Sequence, residues 1–372
     1  MHRRYVITRK PSEKKNPNNM GKTILITGGA GFIGSHVVKH FVKKYPEYTI
    51  INFDTLTYAG NPENLKGIKE YDNYVFIKGD IRNFDDINGV FEKYHIDKVI
   101  HLAAESHVDR SMVNPTEFVE TNVMGTINLL NAAKNAWSKD LGLHCFLNMG
   151  TDEIFGSLNV DDEPFNEKTP LDPHSPYSTS KTAAVMFGKT YYEAYGLPVI
   201  NLACGNAIGP NQFPEKLVPL VIDRLLNGGD IPVYGEGKQM RDWTNVYDIA
   251  EAIDLLVHKG TPGELYCIGG DACKQNIEII ERLILEVAKY YTEDKVPALR
   301  KQIKFIKDPR GKSHDFRYDI NHDKITKELG WKPEYSFEDS IRETVYWYIT
   351  NQNWVSNVKN GEYKKWINEY YK

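Results

Sequence analysis

The stretch that decides the fold is Thr23-Ile-Leu-Ile-Thr-Gly-Gly-Ala-Gly-Phe-Ile-Gly-Ser35. The β-branched run Thr23–Thr27 is too short for a helix and stops at glycines, so it reads as a buried parallel strand. Behind it, Ser35–Lys44 carries Val37, Val38 and Phe41 in a helical stripe. Strand, glycine turn and helix in that order suit a dinucleotide. Backbone at Gly28, Gly31, Phe32, Ile33 and Gly34 is placed to approach a pyrophosphate at the positive end of the helix. The next strand-like run, Thr49–Phe53, leads into Asp54, 20 residues after Gly34. A carboxylate there binds an adenine ribose 2′-hydroxyl and repels a 2′-phosphate, which selects NAD over NADP. Asp80 and Ile81, just past a third strand-like run at Tyr74–Ile77, are further cofactor candidates on the adenine side.

Outward from this unit, strand-like runs recur at Lys98–Leu102, Cys145–Met149 and Pro198–Leu202, separated by room for crossover helices. The alternation predicts an α/β, Rossmann-like doubly wound parallel sheet. From Gly205 the text turns to Gly- and Pro-rich loops mixed with helices at Leu217–Asn227 and Asn276–Tyr290, a smaller α/β C-terminal lobe for substrate. The expected division is a disordered basic tail at 1–19 and an NAD-binding domain at 20–204. A mainly substrate-binding lobe follows at 205–345, some of its segments returning to the first domain, and an aromatic C-terminal extension occupies 346–372.

Composition excludes several classes. With 46 Lys and Arg against 50 Asp and Glu the chain carries a net charge of −4, which offers no footprint for nucleic acid. No apolar run reaches the length of a membrane span. Cys145, Cys204, Cys267 and Cys273 form no C-x-x-C pair and no His/Cys ligand spacing, so neither disulfides nor a metal site are expected and a cytoplasmic location fits.

Two further constellations carry chemistry. Tyr177-Ser-Thr-Ser-Lys181 puts an ammonium one helical turn from a phenol, where its charge favours the phenolate. Alone, this spacing most often marks an ordinary helix face. Gly150-Thr151-Asp152-Glu153 follows the apolar run Cys145–Met149, so adjacent carboxylates stand at the carboxyl end of a parallel strand, where such sheets bind ligands. One acid kept protonated donates to a leaving hydroxyl, while an ionised partner takes a proton from carbon.

TGGAGFIGS, LAAESHVDRS, TDEIFGSL, SPYSTSK, GPNQFPEKLVPL, the Arg241-Asp-Trp243 segment and YCIGG together resemble the extended short-chain dehydrogenase/reductases, and within them the dTDP-glucose 4,6-dehydratase family. The resemblance runs from Met20 to the C-terminus. It implies an internal redox cycle on a nucleotide sugar, dTDP-glucose, with NAD regenerated each turn. Tyr177, assisted by Lys181 and Thr151, takes the proton of the sugar 4-hydroxyl. Glu153 removes the C5 proton and Asp152 protonates the departing 6-hydroxyl. The resemblance further implies substrate contacts at Ser106, His107, Asn206, Glu215, Lys216, Leu217, Arg241, Asn276 and Arg310. It also implies a homodimer through helices near Pro115–Lys134 and Lys181–Tyr195.

The chain departs from the family pattern at three places. Gly150 stands where a serine is usual, Ala207-Ile208 replace an amide and a tyrosine, and Asp308–Tyr318 is longer, leaving Arg317 and Lys312 as competitors of Arg310 for phosphate. These changes bear on substrate choice, keeping open a 4,6-dehydratase of another nucleotide-glucose such as UDP-glucose. A nucleotide-sugar 4-epimerase has no use for Asp152 and Glu153. A non-catalytic sugar-nucleotide binder has no use for the full set.

Overall fold

A computed structural model describes residues 21–291, 295–311 and 314–359. The basic tail expected at 1–19, Lys312 and the last part of the aromatic extension lie outside the described residues. The chain divides into two compact units. The first holds residues up to Gly150, with Ser175–Leu202 and Ala250–Tyr266; the second holds Thr151–His174, Ala203–Ile249 and the chain from Cys267 on.

The first unit is built on β1 (Thr23–Thr27), α1 (Phe32–Lys44), β2 (Thr49–Asp54), β3 (Tyr74–Lys78), α2 (Phe84–Lys93) and β4 (Lys98–His101). It continues with α3 (Val108–Val113), α4 (Pro115–Phe118), α5 (Gly125–Trp137), β5 (Cys145–Met149), α6 (Pro176–Tyr195) and β6 (Val199–Cys204). The strands join in one seven-stranded sheet of order β11-β6-β5-β4-β1-β2-β3, where β11 is Leu265–Ile268. From β3 to β6 every pairing is parallel, and Thr27 at the end of β1 stands beside Phe53 of β2 and His101 of β4. Such strands are covered on both faces, which is why they read as unbroken apolar runs rather than alternating ones. Ile24, Ile26, Ile50 and Ile100 have no exposed surface, and each contributes about 1.5–3 kcal/mol by leaving water.

The six strand-like runs read from the sequence all appear, two of them unchanged and the others with ends moved by one or two residues. β11 was not anticipated: four residues ending at a glycine pair give too short a period to identify. The helix expected near Pro115–Lys134 is present but not uniform, since Val119–Met124 between α4 and α5 is wound as a π-helix. Asn122 in that segment is bonded to residues outside it. Its Nδ2 donates to the Glu105 carbonyl and the Ser180 hydroxyl, both at 2.9 Å, and its Oδ1 accepts from Glu105 N at 2.9 Å.

The second unit carries short sheets and helices. Its strands are β7 (Asn206–Ile208), β8 (Ile231–Tyr234), β9 (Met240–Arg241), β10 (Trp243–Asn245), β12 (Lys274–Gln275), β13 (Ile303–Ile306) and β14 (Arg317–Tyr318). They form the pairs β10-β7 and β13-β8 and the trio β12-β9-β14. Among its helices, α7 (Leu217–Asn227), α9 (Asn276–Ala288) and α12 (Phe337–Thr350) pack together. α10 (Val296–Arg300), α11 (Asp323–Leu329) and α13 (Gln352–Val358) complete its helices, while α8 (Val246–Lys259) belongs to the first unit from Ala250 on. α7 matches its sequence reading; α9 stops at Ala288, short of Tyr290.

Among the described residues no helix is long and apolar enough to cross a membrane.

Candidate active site

In the first unit the strand order reverses at β1, which has β2 on one side and β4 on the other. Ligands of open parallel sheets bind beyond the carboxyl ends of strands at such a point. The glycine turn lies there. Gly28 has φ +70°, and a Cβ on it would meet Ala103 N at 2.6 Å, while one on Gly34 would meet the Gly28 carbonyl at 2.1 Å. Gly31 differs, because its added Cβ would have only the Gly28 carbonyl nearby, at 3.3 Å. No side chain caps α1 and no acidic residue stands in its first turn. The turn at Gly28, Gly31 and Gly34 therefore leads into a positive helix end at Phe32 and Ile33 on which a pyrophosphate fits.

Asp54 ends β2 with a second duty that sequence reasoning did not foresee. Its Oδ2 accepts from Ala30 N at 2.9 Å and its Oδ1 from Leu56 N at 2.7 Å, tying the strand end to the glycine turn. Burial raises its pKa against those two N–H groups. An ionised carboxylate has about four lone-pair positions, so a ribose hydroxyl still finds an acceptor. Asp80 and Ile81 separate: the Asp80 carboxylate takes Arg82 Nη2 at 2.7 Å, and the Ile81 side chain joins the apolar core.

Tyr177 stands in the first turn of α6, whose start is fixed by a Ser175–Ser178 capping box with Pro176 behind it. Its ring meets Phe118 edge-on at 6.3 Å. Lys181, one turn on, is buried and donates from Nζ to the Met149 carbonyl at the end of β5. Burial pulls its pKa down to about 8. His101 on β4, wholly buried between the Thr27 and Thr126 hydroxyls, is held neutral, pulled to about 3 by burial and the Lys181 charge. Ser106 is exposed, and His107 is buried as the cap of α3. Gly150 has a packing reason here: a Cβ would sit 2.9 Å from the Leu202 carbonyl and 3.1 Å from Val185 Cγ2.

In the second unit, Thr151 caps a 3₁₀ turn at Asp152–Phe155, its hydroxyl accepting from Glu153 N at 3.4 Å and donating to Asp152 Oδ1 at 3.2 Å. Asp152 is 2% exposed, and its Oδ2 has no hydrogen-bond partner among the described residues. Burial and the neighbouring Glu153 charge raise its pKa well above the usual range, against Arg241 and the Thr151 bond. Glu153 is half-buried. Burial raises its pKa too, but the cations of Arg241, Arg310 and Lys216 all oppose the rise. Adjacent acids thus sit in unequal fields: Asp152 is pressed towards the neutral form, while Glu153 has three positive charges favouring its carboxylate.

The other expected substrate residues fall in the same unit. Asn206 is on β7 and Glu215 is buried; Lys216 and Leu217 open α7; Asn276 opens α9 with its Oδ1 unpartnered among the described residues. Two of the basic residues expected to compete for phosphate in 308–318 have different surroundings. Arg317 is committed to the carbonyls of Asn159, Val160 and Asp162 and to Asp319. Arg310 instead lies over the Tyr234 ring at 5.5 Å and lends its charge to Glu153. Ile208, in the segment departing from the family, is fully buried on β7 beside Asn245 of β10. Sequence reasoning passed over Tyr234 and Tyr318, the rings beneath Arg310 and Arg241.

His40, Glu251 and Asp254 bring ligand-type atoms within 4.8 Å of one another. The Lys44 ammonium, 2.7 Å from Asp254 and 3.3 Å from Glu251, already supplies the cation there.

The chain matches the family model described as GDP-mannose 4,6 dehydratase over residues 25–344. It is 45% identical to a dTDP-glucose 4,6-dehydratase of Salmonella typhimurium, covering 94% of this chain and 98% of that one. Among solved structures, the dTDP-glucose 4,6-dehydratase of Bacillus anthracis in complex with NAD is 41% identical with TM-score 0.80, over 91% of this chain and 100% of that one. One from Streptomyces venezuelae, also with NAD bound, is 38% identical with TM-score 0.82 over the same shares.

Proposed function

The chain belongs to the dTDP-glucose 4,6-dehydratase family, and on that premise we propose that it turns dTDP-glucose into dTDP-4-keto-6-deoxyglucose and water with NAD as resident cofactor. The observation that carries this reading is the adjacent pair Asp152–Glu153, both raised by burial, Asp152 well above the usual range and Glu153 with the charges of Arg241, Arg310 and Lys216 opposing its rise. A 4-epimerase needs a phenol and NAD but no such pair.

NAD, when bound, would supply a reversible hydride acceptor for the hydrogen on C4 of the hexose and the hydride donor for C6. The cofactor belongs on the first unit's glycine turn, with Asp54 at its ribose. Tyr177 takes the O4 proton as C4 is oxidised, its phenolate favoured by the Lys181 charge one turn away, and Thr151 supports the same oxygen. The new C4 carbonyl acidifies C5–H. Glu153 then takes the C5 proton, Asp152 gives its proton to O6, and the C6–O bond breaks to release water. After reduction at C6, Glu153 returns a proton to C5. Substrate residues of the second unit hold the rest of the molecule, Arg241 and Arg310 on the diphosphate because a guanidinium binds phosphate through paired donors. Asn206, Glu215, Lys216, Leu217 and Asn276 serve the sugar nucleotide, and Ser106 and His107 border the sugar.

We place the enzyme in the cytoplasm as a homodimer. What supports the dimer is apolar surface on the two helical stretches named from the sequence: Val119 and Met124 on one, Met186, Tyr192 and Tyr195 on the other, all at least 40% exposed.

The test is a mixed panel of nucleotide-glucoses offered to purified protein without added NADH. dTDP-glucose is expected to yield the alkali-labile, ultraviolet-absorbing 4-keto product. Conversion to dTDP-galactose would establish the epimerase instead, preference for UDP-glucose would reassign the base, and inertness to the whole panel would leave a binding protein.

A further inference from the structure

The proposed function asks Arg241 to do two things in the second unit, to meet the diphosphate and to oppose the effect of burial on Glu153, so its guanidinium must stay in one place. Its own strand is only two residues long and cannot do this alone. β9 is flanked by β12 and β14, and the register puts Tyr318 directly beside Arg241. The Tyr318 ring lies beneath the guanidinium, 4.1 Å from its carbon to the ring centroid. Arg241 Nη2 donates to the Asp315 carbonyl at 3.0 Å, and Nη1 to the Met240 and Phe316 carbonyls at 2.6 and 3.3 Å.

The ring is itself anchored. The Tyr318 hydroxyl donates to Asp315 Oδ2 at 2.6 Å, and Asp315 Oδ1 is 2.6 Å from His174 Nδ1. His174 Nε2 in turn reaches Asp172 at 3.2 Å. Tyr318, Asp315 and Arg241 are all buried. Phenol, carboxylate and imidazole thus form a chain running from the half-exposed His174 to the underside of Arg241.

We propose that Tyr318 is a positioning residue for the dehydration. Its ring, held by the Asp315–His174 pair, fixes the Arg241 guanidinium where it binds the diphosphate and favours the Glu153 carboxylate. This inference rests on the dehydratase reading and adds to it a residue to which the sequence reading assigned no role. The ring holds the guanidinium by cation–π attraction, an interaction stronger when desolvated. The hydroxyl serves only to hold the ring. The groups facing Glu153 are Arg241, Arg310 and Lys216 as cations, with Asp315, Asp152 and the Tyr318 phenol on the other side of the balance. Displacing Arg241 removes one of three favourable charges, so the Glu153 pKa rises.

The test compares Tyr318→Leu with Tyr318→Phe in the full-length, NAD-loaded protein. Affinity for dTDP is measured by calorimetry, and kcat against pH is followed with dTDP-glucose. Tyr318→Leu is expected to weaken dTDP binding about tenfold and to move the acid limb of the kcat profile up by about one pH unit. Tyr318→Phe keeps the ring and is expected to stay within about twofold of wild type in affinity, with the limb in place. If Tyr318→Leu does not fold, Tyr318→Met, apolar but not aromatic, takes its place. Wild-type affinity and limb in the non-aromatic variant, or equal losses in both variants, would overturn the proposal. Wild-type protein that neither binds dTDP nor turns over dTDP-glucose would overturn the dehydratase reading itself, and this inference with it.

Discussion

At the scale of single residues, the proposed function assigns Glu153 the step that separates elimination from simple oxidation and reduction at C4. Glu153→Gln is expected to retain NAD, to lose about 10²–10⁴ of its turnover and to stop the exchange of C5 hydrogen with deuterated solvent. Normal C5 exchange in that variant, followed by mass spectrometry, would remove Glu153 from the role of carbon base. Lys181 sets a second expectation. Its burial lowers the ammonium pKa to about 8, so the cation is complete below that pH and is lost as pH rises through it. kcat therefore falls above about pH 8, and a rate that stays level to about pH 9.5 would contradict the assignment. Thr151, Asp152, Glu153, Tyr177 and Lys181 could be singled out in the sequence because the proposed chemistry calls for those residue types at short spacing. The stack of Arg241 on Tyr318 was not. It is created by pairing between β9 and β14, distant in the chain, and no local spacing encodes it.

Elements show the same division between short-range and long-range information. β1, the glycine turn and α1 are contiguous, so their order was readable, and so was the demand for glycine. The structure separates two demands within that turn. At Gly34 a Cβ would strike the Gly28 carbonyl at 2.1 Å, whereas Gly31 has φ −75° and one neighbour at 3.3 Å. Gly34→Ala is therefore expected to lower the melting temperature, by the several degrees that follow from roughly 1–3 kcal/mol of backbone strain. Gly31→Ala is expected to melt within about 2 °C of wild type while losing most of its bound NAD, read from absorbance after denaturation. Full NAD content in Gly31→Ala would show that the pyrophosphate does not approach there. The π-wound Val119–Met124 was invisible beforehand, and its Asn122 bonds to Glu105 and to Ser180 of α6, residues distant in the chain that no local spacing encodes.

For the whole molecule, the α/β class and the parallel order followed from repetition of apolar runs and crossovers. The edge strand β11 escaped because four residues carry too little periodicity. Assembly belongs to this scale as well. Light scattering is expected to give twice the chain mass, and Met186→Glu to shift the protein towards the monomer by burying an unpaired charge; a monomeric wild type would discard the dimer. The central claim is that phenol, carboxylates and cofactor act on one hexose within one turnover. dTDP-glucose deuterated at C4, converted in ordinary water and examined by NMR, tests this most directly. The deuterium is expected in the C6 methyl group of the 4-keto product, with solvent hydrogen at C5. Deuterium washed into solvent, or restored to C4 of a galactose product, would contradict the account.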